Sequence, residues 1–347
     1  MSLIDRLLHS GGHASRIAWY LTHGLMASRL SSPVQGPLPS GLPDRKVYLG
    51  DLRALFARDQ AQILAGRYAM PEDLLPSPSL ALRQSTRFFS DLGRINLRRM
   101  RGDGQEVYRQ VNLDRQDGQE CRPRYYLQNF HYQTDGWMSE GSAELYDFQV
   151  EVLFSGATDA MRRQALLPIG DFLGQRRQAD LRLLDIATGT GRFLQTIKQN
   201  YPRLPVTGLD LSSAYLQKAG EMLKSWSRVN LLLANAEALP FPDSSQDMVT
   251  SVYLLHELPK GARLRAAGEM ARVLKPGGQL ILVDSLQTGD HPPFDGLLDL
   301  FPVLYHEPYY RDYVATDLTQ LFEQAGLSFL QADRAFMSKI MVFGKNP

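Results

Sequence analysis

From Leu181 onward, short apolar runs alternate with stretches of helical periodicity, and few folds accommodate that alternation. Strands are predicted over Leu181–Ile186, Pro205–Leu209, Asn230–Ala234, Asp247–Leu254 and Gln279–Asp284. Helices are predicted over Gly191–Asn200, Ser213–Lys224, Lys260–Leu274 and Thr316–Ala325. Successive strand–helix units imply an α/β, doubly wound, mostly parallel sheet. The last two strands, Leu327–Asp333 and Ser338–Gly344, are joined by too short a turn for a crossover, so they close the chain as an antiparallel hairpin.

The first strand of this series ends in Leu184-Asp185-Ile186-Ala187-Thr188-Gly189-Thr190-Gly191. A strand, a tight glycine turn and a helix form the mouth of a nucleotide-type pocket, and glycine lets the backbone turn sharply there and approach a ligand. A second carboxylate, Asp210, follows Gly191 by 19 residues, a separation that suits an acid over a ribose diol, with Ser212 as a helix cap beside it. A dinucleotide fits poorly. Leu194 stands where the third glycine of the fingerprint would be, no P-loop is present, and Asp185 would repel a pyrophosphate while suiting a ligand that carries a cation.

Five segments in order then resemble the class I S-adenosylmethionine-dependent methyltransferases, nearest the small-molecule branch with the ubiquinone/menaquinone-type enzymes. They are the Asp185–Gly191 turn, Asp210, Asn235-Ala236-Glu237-Ala238-Leu239-Pro240, Gln246-Asp247-Met248-Val249 with Leu255-His256-Glu257-Leu258, and Arg272-Val273-Leu274-Lys275-Pro276-Gly277-Gly278. The resemblance implies a seven-stranded sheet, S-adenosyl-L-methionine as cofactor, and cofactor contacts at Asp185, Ala187, Gly189, Gly191, Asp210, Leu211, Asn235, Ala236 and Tyr253. Tyr146-Asp147 resembles a pair that forms a lid over the methionine end of the cofactor in related enzymes, which adds Tyr146. Two positions depart from the family. Ala187 replaces the usual glycine and is expected to keep a negative φ, and Asn235 replaces the usual aspartate.

Methyl transfer from a sulfonium needs mainly alignment and desolvation, so a catalytic residue need not be conspicuous. His256, just past the fourth strand, is the first candidate, because ligands bind at that rim and histidine titrates near neutrality. Its neighbour Glu257 reads equally as a helix-entry acid. His306, in the aromatic run Phe301–Tyr310 after Asp284 and Ser285, is the second candidate; the same run reads equally as a core-packing loop. His131, in Asn129–Trp137, is the third, with Tyr132 beside it. No His/Asp/Glu pair has the helical or hairpin spacing of a zinc site, so no metal ligand is assigned.

The first third of the chain lies outside the resemblance. Residues 1–125 are expected to form an extension of helices and β-hairpin that covers the pocket or mediates homodimerisation, and residues 126–347 the methyltransferase domain. Leu3–Leu30 reads as helix, with Ile17, Leu21 and Leu25 toward the protein's own core and a break at Gly11-Gly12; Asp51–Arg67 also reads as helix. Ser31–Pro43 and Pro71–Pro78 mark loops. Residues 94–133 read as strands, with Val107, Val111, Leu113, Tyr125, Leu127, Phe130 and Tyr132 between turn signals at Asp103-Gly104 and Asp117-Gly118.

Global composition sets bounds. A net charge of +1, near neutrality in both halves, argues against a nucleic-acid partner, and the small basic cluster Arg98, Arg99, Arg101 reads as a solvated face. A single cysteine, Cys121, excludes an internal disulfide framework. With no apolar run near the ~20 residues of a membrane span and no signal-peptide pattern, a cytoplasmic location is expected. The function implied is methyl transfer to an oxygen or carbon of a small, aromatic or apolar molecule. A peptide acceptor, and a binding protein without turnover, stay open.

Overall fold

The computed structural model describes residues 3–35, 41–72, 77–101, 122–133 and 136–347. Seven strands form one sheet: β1 (Leu183–Ile186), β2 (Val206–Asp210), β3 (Val229–Leu233), β4 (Gln246–Val252), β5 (Leu274–Ser285), β6 (Leu327–Ala335) and β7 (Ser338–Lys345). Their order is β3-β2-β1-β4-β5-β7-β6. β1 to β5 pair in parallel, while β7 runs antiparallel to both β5 and β6. The sheet order therefore reverses between β1 and β4, and that is where a doubly wound sheet opens a crevice at its carboxyl edge.

Alternate residues of each strand feed two cores on opposite faces. Leu183, Val206, Met248, Ile281 and Val283 face one. Leu184, Ile186, Leu209, Val249, Leu280 and Leu282 face the other, against α9 (Lys260–Val273) and α12 (Leu318–Gln324). The first core also takes Phe193, Leu194 and Ile197 of α7 (Arg192–Asn200), Ala219 and Leu223 of α8 (Ser213–Leu223), and Leu166 and Ile169 of α6 (Leu166–Leu173). Leu52, Leu55, Phe56 and Ile63 of α2 (Arg45–Leu64) enter that same core, so the N-terminal helices pack directly on the sheet.

Several expectations for the first third need correction. α1 runs unbroken from Leu3 to Gln35 through Gly11-Gly12, because its neighbours hold the backbone helical despite the glycine propensity cost. Its most buried side chains are His13, Arg16, Tyr20 and His23; of the Ile17–Leu21–Leu25 stripe, Ile17 packs half-buried against the core as expected and Leu21 is half-buried, but Leu25 is 62% exposed. Polar side chains win the inward face because buried partners await them there: His23 lies 2.8 Å from the Trp19 carbonyl and 2.9 Å from Ser85 Oγ. Residues 94–100 are the end of α3 (Pro78–Met100), and Arg98 reaches inward to donate to the Gln133 carbonyl. Tyr125 and Phe130 lie in short 3-10 turns, Arg124–Tyr126 and Phe130–Tyr132, instead of strands. No ladder partner is near them among the described residues. Val107, Val111, Leu113 and both turn signals lie outside the described residues. No helix among the described residues is long and apolar enough to cross a membrane.

Between this extension and the sheet lie α4 (Glu140–Leu153), capped by Ser139, and α5 (Thr158–Arg163). The run Phe301–Tyr310, read from sequence as a pocket wall or a core-packing loop, begins in one helix and ends in the next: α10 (Asp295–Tyr305) and α11 (Tyr310–Val314), with a turn over 306–309 between them.

Candidate active site

The turn after β1 is built on left-handed backbone. Gly189 and Gly191 have φ of 56° and 80°, and Ala187 adopts φ 61°. The expectation of a negative φ at Ala187 is thus overturned. The turn geometry that favours glycine elsewhere in the family is kept here at a steric cost of about 1–2 kcal/mol. Gly191 is needed for a second reason: a Cβ there would stand 3.0 Å from that of Ala219, so α8 could not pack so closely. Asp147 Oδ1 and Oδ2 accept from the Thr190 hydroxyl at 3.0 and 2.9 Å, which ties the turn to α4.

Beside this turn opens a cleft. Asp210, at the end of β2, borders it. Its Oδ2 accepts from Gly189 N–H at 2.8 Å and its Oδ1 from Ser212 N–H at 2.9 Å, so the carboxylate is aimed by backbone. Burial raises its pKa, and those backbone donors offset part of the rise. Ala187, Gly189, Leu211, Asn235, Ala236, Tyr253 and Tyr146 line the same cleft. Asn235 is partly engaged already: its Oδ1 accepts from Glu237 N–H at 2.9 Å. Tyr125, Tyr126, Phe130 and Trp137 line the cleft from the segment before α4. Phe130 and Trp137 stack with ring centres 4.2 Å apart, Ser212 Oγ donates to the Trp137 carbonyl at 2.5 Å, and Tyr125 donates to Glu237 at 2.5 Å.

Behind the cleft is an inner hollow walled by Phe154, Phe301, Tyr310, Met337, His131 and His256. The two spaces share Tyr146, Tyr253 and Glu257.

A family profile described as a methyltransferase domain matches residues 183–278. The chain is 31% identical over 180 residues to a demethylmenaquinone methyltransferase of Listeria welshimeri, covering 45% of this chain and 74% of that protein. It is also 31% identical over 169 residues to a ubiquinone/menaquinone biosynthesis C-methyltransferase of Desulfotalea psychrophila, covering 48% of this chain but 63% of the relative's length. A solved S-adenosylmethionine-dependent methyltransferase of Aquifex aeolicus overlays 60% of this chain and 98% of its own at 18% identity and a TM-score of 0.42. The chain belongs to the class I S-adenosylmethionine-dependent methyltransferases.

For a methyltransferase of this class, two of the sequence-predicted cofactor residues lie off the cleft wall. Gly191 packs against α8, as described. Asp185 is buried beneath the turn, where it accepts from the Thr250 hydroxyl at 2.7 Å; burial lifts its pKa to about 6, with Thr250 and Thr188 opposing the rise. It therefore props the floor of the turn instead of bordering the space above it.

The three histidines part company. His256 borders the inner hollow, and its Nδ1 meets Asp284 Oδ1 at 2.5 Å. Burial opposes charge on this ring, but Asp284 outweighs it and raises the pKa. His131 also borders the hollow, at a backbone φ of 55°, with Nε2 2.8 Å from Glu307 Oε1 and 3.5 Å from Glu257 Oε1. His306 caps the end of α10 in left-handed conformation, 3.4 Å from Gln128 Oε1, and borders neither space. Its neighbour Glu307, 1% exposed, is the residue that reaches the site. Sequence reasoning singled out His306 because the aromatic run around it suits a pocket wall. The signal that pointed to Glu307 was a carboxylate inside an aromatic run. The side chain of Tyr132 lies outside the described residues.

Burial raises the pKa of Glu307, and the charge on Glu257 reinforces it. Burial would also raise Glu257, yet its contacts to His131 and His256 outweigh that and lower it. His131 is raised because Glu307 and Glu257 overcome the effect of burial.

Proposed function

We propose that this protein transfers a methyl group from S-adenosylmethionine to an oxygen or carbon of a small, aromatic or otherwise apolar molecule. Asp210 carries the proposal: a carboxylate fixed by backbone N–H groups at the wall of the cleft. Such an acceptor suits vicinal hydroxyls, the two apolar residues Leu211 and Ala236 suit a purine face, and the aromatic rings of Tyr146 and Tyr253 suit a sulfonium. When bound, the cofactor supplies an electrophilic methyl on a good leaving group.

The chain's own contribution is alignment and exclusion of water. Tyr146, Tyr253 and Glu257 form the wall between cleft and hollow, where donor and acceptor would meet. The Phe130–Trp137 stack lines the cleft, and the walls of the hollow suit a flat apolar acceptor. Asp284 fixes Nδ1 of His256 as a donor, leaving Nε2 as that ring's remaining polar position toward the acceptor. The enclosed hollow favours a small molecule over a peptide. The quinone-type names of the relatives agree with an aromatic acceptor, and a cytoplasmic location belongs to the same reading.

Calorimetry with S-adenosylmethionine and S-adenosylhomocysteine tests the proposal. One site per chain is expected, and Asp210→Ala should weaken binding about 10- to 100-fold, the worth of hydrogen bonds to a charged acceptor. No heat with either ligand would end the cofactor assignment, and unchanged affinity in the variant would remove Asp210 from it.

A further inference from the structure

Glu257 and Glu307 are brought together from the end of β4 and the α10–α11 turn, with His131 of the segment lining the cleft completing a triangle. One ligand-type atom from each of the three lies within 4.8 Å of the others. Both carboxylates are more than nine-tenths buried. Oε1 of Glu307 meets His131 Nε2 at 2.8 Å, while Oε2 of both Glu257 and Glu307 has no hydrogen-bond partner among the described residues. Two adjacent buried carboxylates cost several kcal/mol unless a proton or a cation is shared between them. His131 sends a ring nitrogen to the same point.

The geometry points to a divalent metal site at His131, Glu257 and Glu307. A cation about 2.0–2.2 Å from each ligand atom spans a triangle of this size. Its charge matches two carboxylates, with His131 binding as the neutral imidazole; a single ammonium would leave one carboxylate uncompensated. One nitrogen with carboxylate oxygens suits Mn²⁺, Fe²⁺ or Zn²⁺ better than the all-oxygen preference of Ca²⁺. His256, whose Nε2 lies 3.5 Å from Glu257 Oε1 and which is itself anchored by Asp284, supplies the outer support that ligating carboxylates need. Three protein ligands leave coordination positions free, and His131 and Glu257 both border the inner hollow. The ion would there bind an oxygen of the methyl acceptor, which selects phenols, enols and hydroxy-carbonyl compounds; this last step rests on the methyltransferase reading, the metal site does not.

The test uses untagged full-length protein, stripped with chelator and titrated separately with Mn²⁺, read by electron paramagnetic resonance, and with Zn²⁺, read by elemental analysis after desalting. One ion per chain is expected, with affinity reduced at least about tenfold in both Glu307→Gln and His131→Asn. S-Adenosylhomocysteine binding should be unchanged in the two variants. Failure of the wild-type protein to retain a stoichiometric ion of either metal overturns the proposal, as does an affinity unaltered in both variants. Metal uptake without S-adenosylhomocysteine binding would sink the donor reading alone, and the reverse would sink the metal site alone.

Discussion

Two buried acidic clusters in this molecule are built on opposite principles. Around Asp159, Arg192 approaches at 2.6 Å, Arg16 at 3.1 Å and Arg162 at 3.3 Å, while Glu151 pairs with Arg16 at 2.6 Å. Guanidinium groups outnumber carboxylates, and Arg16 also donates to the Gly156 carbonyl. Around Glu257 and Glu307 the facing cations among the described residues are histidines, and Oε2 of each carboxylate is left open. The first cluster joins α1, α4, α5 and the residue directly after Gly191, so it fastens the N-terminal extension to the turn at the cleft. The second fastens little and borders the hollow. Buried acids outnumbered by the chain's own arginines, even with Glu151 Oε2 left open, are architecture; two adjacent acids faced by histidines alone among the described residues mark a place for a ligand.

Removing one member of each cluster should separate them most sharply. Asp159→Asn leaves three guanidinium groups facing a neutral amide and should cost about 3–5 kcal/mol in urea unfolding. A loss under about 1 kcal/mol would show the cluster to be dispensable.

Acid should reveal the same network with a smaller effect. The arginines hold the Asp159 carboxyl well below its ordinary range despite its burial. A depressed folded pKa contributes stability that is complete above the unfolded value near 4 and is lost as pH falls through the folded value. Glu151 works in the opposite sense: burial raises its pKa, only Arg16 pairs with it, and its Oε2 has no partner among the described residues. Its ionisation therefore costs stability, which returns as pH falls toward its protonation. Unfolding free energy measured from pH 7 to 3 should hold or rise slightly down to about pH 4 and then drop. The drop should be shallower in Asp159→Asn, and equal slopes would assign it elsewhere.

The smallest change is expected from Glu307→Gln in metal-free protein. It relieves a repulsion between carboxylates while giving up the ion pair with His131, so stability should stay within about 1 kcal/mol of wild type. A loss comparable to that of Asp159→Asn would erase the distinction between the clusters.

The Rossmann-like half was legible because its elements depend on neighbours in sequence. The apolar run at Leu183–Ile186, the Ser212 cap and the β6–β7 hairpin each announce themselves within a few residues. The cleft positions Asp210 and Asn235 were legible for the same reason, since each ends a strand whose period can be read. The inner site was not, because His131, Glu257 and Glu307 come from three segments up to 176 residues apart and no spacing rule links them. The extension misled through its polarity. A face of His13, Arg16 and His23 reads as solvent-exposed until the acids and hydroxyls that meet it are known. Ala187 misled through its side chain, since an alanine gives no hint that the surrounding turn holds it left-handed.

Ala187, Tyr253, His131 and His306 are all non-glycine residues at positive φ; the first three border the two hollows and His306 adjoins Glu307. Strain of this kind costs on the order of 1–3 kcal/mol per residue and persists only where the surroundings leave no alternative. Marginal stability of roughly 5–15 kcal/mol leaves little room for four such residues. Three remote helices and a nest of buried arginines thus act on the reaction centre without touching it: loosen their grip on the sheet, and the backbone around the hollows is free to relax into a shape that fits nothing.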